Sequence, residues 1–243
     1  MHPLALLLFA ACLPFVWLLD WTALDEYMNK CDSEYQYTLK KNNSMYVTAT
    51  AYTLQMTSQK WLDGWENITG YDIMAYSWWR FMNDSATPPH WLAQFPMVKA
   101  AVKAMDTIKN FMKKQGYKDI QNFTLTGIAS GGWVSWLTAA VDRRVVAIIP
   151  IAMDLLNLTK NFQHLYYAYC GWSYMLRPFY DMNITQRINH PRFTELASHV
   201  DPLAYNERYK NVSKYIIVIT GDGVNQPDNS HYYYSQLEGE KHL

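Results

Sequence analysis

The stretch "TLTGIASGGWVSW", residues 124–136, ends an apolar run on glycines and opens a helix at once. That is the outline of a nucleophile elbow, in which the central residue of G-x-S-x-G stands clear at the tip of a strand. The helix that follows aims its first amides at a developing oxyanion. The chemistry of such a corner is acyl transfer: a serine hydroxyl attacks an ester or amide carbonyl, a histidine takes its proton, and a carboxylate orients the histidine. Here the frame reads Gly127-Ile128-Ala129-Ser130-Gly131, so an alanine occupies the centre and the serine comes one place late. Ala129 has no oxygen to attack with. Ser130 could serve only after a one-residue slip, which puts Ile128 where a small residue belongs and disturbs the strand register. A phosphate loop is excluded, because there is neither G-x-G-x-x-G nor a Walker lysine. A tight turn of purely structural purpose is the plain alternative.

A corner needs a strand before it and a helix after it. "FTLTG" (123–127), "VVAIIPIA" (145–152) and "YIIVITG" (215–221) read as strands, the last two apolar enough to be covered on both faces of a parallel sheet. A helix from about Gly132 to Val141 joins the first pair into a right-handed βαβ unit. Residues 96–116 form the clearest helix, with Val98, Ala101, Val102, Met105, Ile108 and Met112 inward and Lys99, Lys103, Asp106, Asn110 and Lys113 on a solvated row. Residues 70–82 put Ile73, Met74, Ser77, Trp78 and Phe81 on one stripe, and two more helices are expected near 156–168 and 191–198. Upstream, Tyr35, Tyr37 and Leu39 share a strand face, a polar "KKNNS" turn follows, and a second strand runs from about Met45 to Met56. The whole is α/β, three-layered, in one domain over 21–243.

Bulk properties agree with that size. The chain has 243 residues, 50% hydrophobic and 16% aromatic, enough for a core with tyrosine and tryptophan to spare for a pocket or partner surface. Its 21 basic and 21 acidic residues leave no net charge, which argues against nucleic acid as a partner. The apolar run from Pro3 to Leu19 is short for a membrane span and broken by Pro14, so residues 1–20 read as a secretory signal peptide and no stable span is expected after its removal. Sequons at Asn42, Asn67, Asn83, Asn122, Asn157, Asn183 and Asn211 are in excess and point to a secreted glycoprotein. Cys12 lies in the signal. Cys31 and Cys170 could pair in an oxidising compartment or stand as two buried thiols. No cysteine or histidine spacing suggests a metal site, and no cofactor is implied.

The blocks "TSQKWL", "PMVKAAVKAMD", "TGIASGGWVSWLTAAVDRRVVAIIPIAMDLLN", "YCGWSYML", "VDPLAYNERY" and "TGDGVNQPDNSHYYYSQLEGEKHL" occur in that order. Together they resemble the PhoPQ-activated pathogenicity-related family, from about Thr22 to the last residue. The resemblance implies an α/β-hydrolase fold with a mainly parallel sheet, and the family includes a secreted repressor of proliferation. The family elbow T-G-A-S-K-R-G-W aligns its serine with Ala129 and its lysine with Ser130. The family acid loop, about G-D-E-F-F-L-P-D, leaves Asp222 as the orienting carboxylate, Asp228 as its substitute and Gly223 in place of glutamate. His164 matches a family histidine beside a G-G-W segment, whereas His242 falls where the last family strand is only beginning. Between Trp65 and Tyr71 a long family segment is missing, with central strands and the loop that would donate oxyanion amides, so the sheet is expected to be incomplete at the centre and in its last strand.

Function follows as an expectation: a secreted, non-catalytic hydrolase-like factor that binds a cell-surface receptor or another extracellular protein. Two alternatives stand beside it. One is a serine hydrolase of esters or amides using Ser130 and Asp222, with His164 as base. The other is a truncated or mis-spliced form without a function of its own.

Overall fold

A computed structural model describes residues 22–30, 36–46, 49–57 and 70–243. The signal-peptide stretch, Cys31, Tyr35 and Asn67 lie outside them. Among the described residues no helix is long and apolar enough to cross a membrane.

Helix α1 (Ala23–Met28) opens on a capping box, Thr22 and Asp25 each closing the other's free amide. Strands β1 (Gln36–Tyr46) and β2 (Ala49–Thr57) pair antiparallel as a sheet of their own. The "KKNNS" stretch is therefore not the turn. It continues β1, with register shifts at Leu39/Lys41 and Ser44/Tyr46. Helix α2 (Gly70–Asn83) buries Met74, Ser77, Trp78 and Phe81, as its stripe predicts. Helix α3 (Gln94–Lys114) starts two residues before Pro96 and ends on Gly116 at φ 80°.

Its inward face is rotated from the expected one. Phe95, Val98, Met105 and Phe111 are buried, Ile108 is 38% exposed, and Lys99 is buried rather than solvated. The Lys99 ammonium donates to the carbonyls of Tyr27 (3.3 Å) and Lys30 (2.6 Å) and lies over the Tyr27 ring, tying α3 to the end of α1.

The main sheet is parallel, in the order β3 (Phe123–Ile128), β4 (Val145–Ile151), β5 (Ser213–Tyr215), β6 (Lys241–His242). Helix α4 (Ser130–Val141) connects β3 to β4 and packs on both. Helices α5 (Leu158–Tyr169), α6 (Arg177–Asp181) and α7 (Pro191–Val200) follow β4. β5 is shorter than the apolar run 215–221 predicts. It begins at Ser213, and beyond Tyr215 only Ile217 bridges to Ile151. β3 has no neighbour but β4 among the described residues. β6 pairs through Lys214–Lys241 and Tyr215–His242 alone.

Strand alternation separates two faces. Phe123, Val145, Ile148, Pro150, Lys214 and Ile216 are buried on the side of α4. In the opposite register, Thr124, Thr126, Ile128, Tyr215 and His242 are exposed and Ala147, Ile149, Ile151 and Ile217 half-buried.

Candidate functional site

The corner between β3 and α4 is an elbow with Ala129 at its tip. Ala129 has φ 50° and ψ −116°, a conformation that costs an ordinary residue on the order of 1–3 kcal/mol. Its amide donates to the Ile151 carbonyl (2.9 Å), and its carbonyl accepts from the Trp133 amide (3.1 Å). The glycines explain how the strain is held. A Cβ on Gly127 would lie 2.3 Å from the Gly131 carbonyl carbon, and one on Gly132 would lie 2.8 Å from the Met153 Cβ. Strand end and helix start thus cross in backbone contact, and the Trp133 indole locks α4 by donating to the Val200 carbonyl (2.6 Å). Ser130 is the first residue of α4, one place past the tip, and its hydroxyl makes no hydrogen bond among the described residues.

Among the described residues neither Asp222 nor His164 hydrogen-bonds to Ser130. Asp222 braces its own loop: Oδ1 accepts from the amides of Val224 and Asn225, both at 2.7 Å. His164 on α5 pairs through Nε2 with Asp228 Oδ2 (2.8 Å), and the Tyr232 hydroxyl meets its Nδ1 (3.1 Å). Both ring nitrogens are thereby occupied, leaving none for a serine. The two carboxylates offered as alternatives therefore divide the work, Asp222 in the loop and Asp228 on the histidine.

The group that sequence reasoning missed is Asp154, three residues past β4 and fully buried. Its Oδ1 accepts from the Tyr233 hydroxyl at 2.5 Å, its amide donates to Asn225 Oδ1 (3.1 Å), and its Oδ2 has no hydrogen-bond partner. Burial pushes the carboxyl up to about 6; the Tyr233 hydrogen bond opposes this and the negative charge of Asp222 adds to it. Burial and Asp222 likewise raise Tyr71. Asp154, Asp222, Tyr233 and Tyr71 thus share one electrostatic neighbourhood beyond the carboxyl ends of β4 and β5, where open α/β sheets place ligands. A signal existed in the sequence: an acid directly after a buried strand. Among the described residues no three His, Cys, Asp or Glu side chains are placed to share a metal ion.

The chemistry this arrangement offers is limited. It provides a strained corner without a hydroxyl and a buried carboxyl that holds its proton more tightly than usual, and no imidazole hydrogen-bonded to either.

Two further expectations meet the structure here. Cys170 is exposed at the left-handed end of α5 (φ 52°), so it is not a buried thiol; its possible partner Cys31 lies outside the described residues. The sequon asparagines Asn83, Asn183 and Asn211 are exposed and Asn122 is half-buried. Asn157 is engaged by the fold, its side-chain amide donating to the Tyr232 carbonyl (3.0 Å). Asn42 lies within β1.

A family model described as PhoPQ-activated pathogenicity-related protein matches residues 63–243. Autocrine proliferation repressor protein A of Dictyostelium discoideum is 30% identical over 297 residues, covering 91% of this chain and 59% of that protein. The chain therefore spans about 59% of the length of this relative. The matched stretch is longer than the chain's own 243 residues, so the relative carries residues with no counterpart here. Among solved structures, acetyl xylan esterase 1 from Thermoanaerobacterium sp. is 14% identical with a TM-score of 0.54, covering 90% of this chain and 85% of that one. Acetyl xylan esterase from Paenibacillus sp. R4 is 16% identical with a TM-score of 0.49, covering 66% and 48%. The first of these likenesses shows the α/β-hydrolase fold.

Proposed function

This chain belongs to the PhoPQ-activated pathogenicity-related family, and from that premise we propose a secreted, glycosylated, α/β-hydrolase-like protein that works without serine chemistry. In this reading it is an extracellular signalling or proliferation-regulating factor whose partner is a cell-surface receptor or another extracellular protein. The observation that carries the reading is Ala129 at the tip of the elbow, where acyl transfer needs an oxygen. Support comes from Asp222 and His164, each engaged elsewhere, and from the name of the amoebal relative.

The test is a fluorophosphonate probe applied to protein collected from culture medium, with a p-nitrophenyl ester assay beside it. Wild type is expected to stay unlabelled and to hydrolyse no ester above buffer. Ala129→Ser is expected to stay unlabelled too, because no imidazole meets the corner. Labelling of wild type that disappears in Ser130→Ala would overturn the reading in favour of a serine hydrolase using Ser130 with Asp222. Recovery from the medium, with a mass shift on enzymatic deglycosylation, tests secretion and sugar attachment.

A second reading is favoured by the relative's extra residues: the chain is a shortened form that has lost an internal segment between Trp65 and Tyr71. Sequencing of full-length transcripts decides it. A longer message that encodes the segment supports it, and its absence from every transcript sinks it.

A further inference from the structure

Beside α5 and α6 lies an open groove of about 650 Å³. Its walls include Tyr166, Trp172, Tyr174 and Tyr180, and among the described residues the only charged side chains that line it are Arg177 and Asp181. The volume is that of a ligand site. The aromatic side chains are left largely in water: Tyr174 is 80% exposed, Tyr180 49% and Tyr166 44%. Yet the wall is anchored, because Trp172 packs against Tyr166 at 5.0 Å and against the core residue Phe162 at 6.3 Å.

The charged pair is equally particular. Arg177 Nε donates to Asp181 Oδ2 at 3.3 Å, one helical turn away. Their charges offset one another, and neither side chain makes another hydrogen bond among the described residues. A donor fork and an acceptor oxygen therefore stand side by side among aromatic rings.

Those features select the ligand by elimination. A charged ligand finds no uncompensated charge among the lining residues. A hydrocarbon chain would cover the ion pair and strand it without water. What suits both the flat rings and the paired donor and acceptor is a neutral molecule with apolar C–H faces and vicinal hydroxyls. We propose that this groove binds a neutral oligosaccharide, its sugar rings stacked on Tyr174 and Tyr180 and a pair of hydroxyls held between Arg177 and Asp181.

The groove also touches the candidate site. Gly223, next to Asp222, lies so close to the lining residue Ser173 that a Cβ would come 2.7 Å from its Oγ, and 3.0 Å from Cγ of Met175 nearby. The Tyr169 hydroxyl donates to the Asp222 carbonyl at 3.4 Å. The proposal does not depend on whether the elbow is silent.

The experiment titrates the full chain with cellohexaose, xylohexaose, chitohexaose and a released high-mannose glycan, by calorimetry and by tryptophan fluorescence. At least one is expected to saturate with a dissociation constant on the order of 0.1 mM, about −5.5 kcal/mol. Tyr174→Ala, at a position almost fully in solvent, is expected to weaken that binding tenfold or more with an unchanged melting temperature, and Arg177→Ala to do the same. No saturation by any of the four at about 10 mM, or binding unaltered in both variants, overturns the proposal. Both substitutions leave the elbow intact, so this result and the labelling result are read separately.

Discussion

One face of the parallel sheet presents Phe123, Ile148, Pro150 and Ile216, all buried on the side of α4; the other presents Thr124, Thr126, Ile128 and Tyr215 to solvent. Both faces belong to the same strands, so backbone propensity cannot distinguish them. What separates them is the crossing at the elbow. Gly127, Gly131 and Gly132 bring α4 down onto one face in direct backbone contact. On the other face Ile128, 66% exposed, sits one residue before the tip with no burial to contribute. The backbone crossing that shapes the corner is present in this chain, while β3 has no neighbour but β4 among the described residues.

Matched substitutions break or sharpen that contrast. The largest effect is expected from Ile148→Ala, which empties a fully buried site and should cost about 2–5 kcal/mol in chemical denaturation, whereas Ile128→Ala should stay within roughly 0.5 kcal/mol. Equal costs would show that the second face is covered in solution. Next is Gly127→Ala, whose methyl has no space against Gly131 and should cost about 3 kcal/mol or prevent folding. Gly131→Ala meets nothing within 4 Å, lies in α4 and should be neutral or gain up to about 1 kcal/mol. Similar losses at both glycines would refute the crossing as described.

Asp154 gives a pH-dependent comparison. Its folded carboxyl, up to about 6, titrates above the ordinary value of 3.8, so the folded state binds the proton more tightly. Its contribution to stability is therefore largest below pH 4 and is lost as pH rises through 6. Asp154→Asn removes the charge and keeps an acceptor for Tyr233. The difference between variant and wild type should favour the variant by up to about 3 kcal/mol at pH 7.5 and shrink towards pH 4.5. A pH-independent difference would remove Asp154 from the titrating groups. The smallest effect is expected at the tip, where Ala129→Gly relaxes a positive φ and should stabilise by about 1 kcal/mol, measured as a rise in melting temperature. A loss of stability would mean that the corner is not strained.

Much of this was legible in the sequence because it depended on local spacing. Glycines at 127, 131 and 132 between an apolar strand and an apolar helix placed Ala129 at the corner, and the period of residues 73–81 gave the buried stripe of α2. What was not legible depended on neighbours distant in the chain. Lys99 reads as a solvated lysine until the carbonyls of Tyr27 and Lys30 are brought to it. Asp154 acquires its role only when Tyr233 and Asn225, distant in the chain, close over it. The strand expected over 215–221 is cut short because its apolar residues outrun their pairing partners past Ile217. Cys170 reads equally as a buried thiol, yet its helix end presents it to solvent.

The bend at residue 129 is imposed by the glycines and by the indole of Trp133, not by the side chain it displays. Alanine and serine codons stand a single base apart, so an ancestor could arm or disarm this position without any cost to its architecture. Inheritance of the shape is consequently no record of inheritance of the reaction, and across homologues the residue that takes the proton is a better marker of activity than the corner itself.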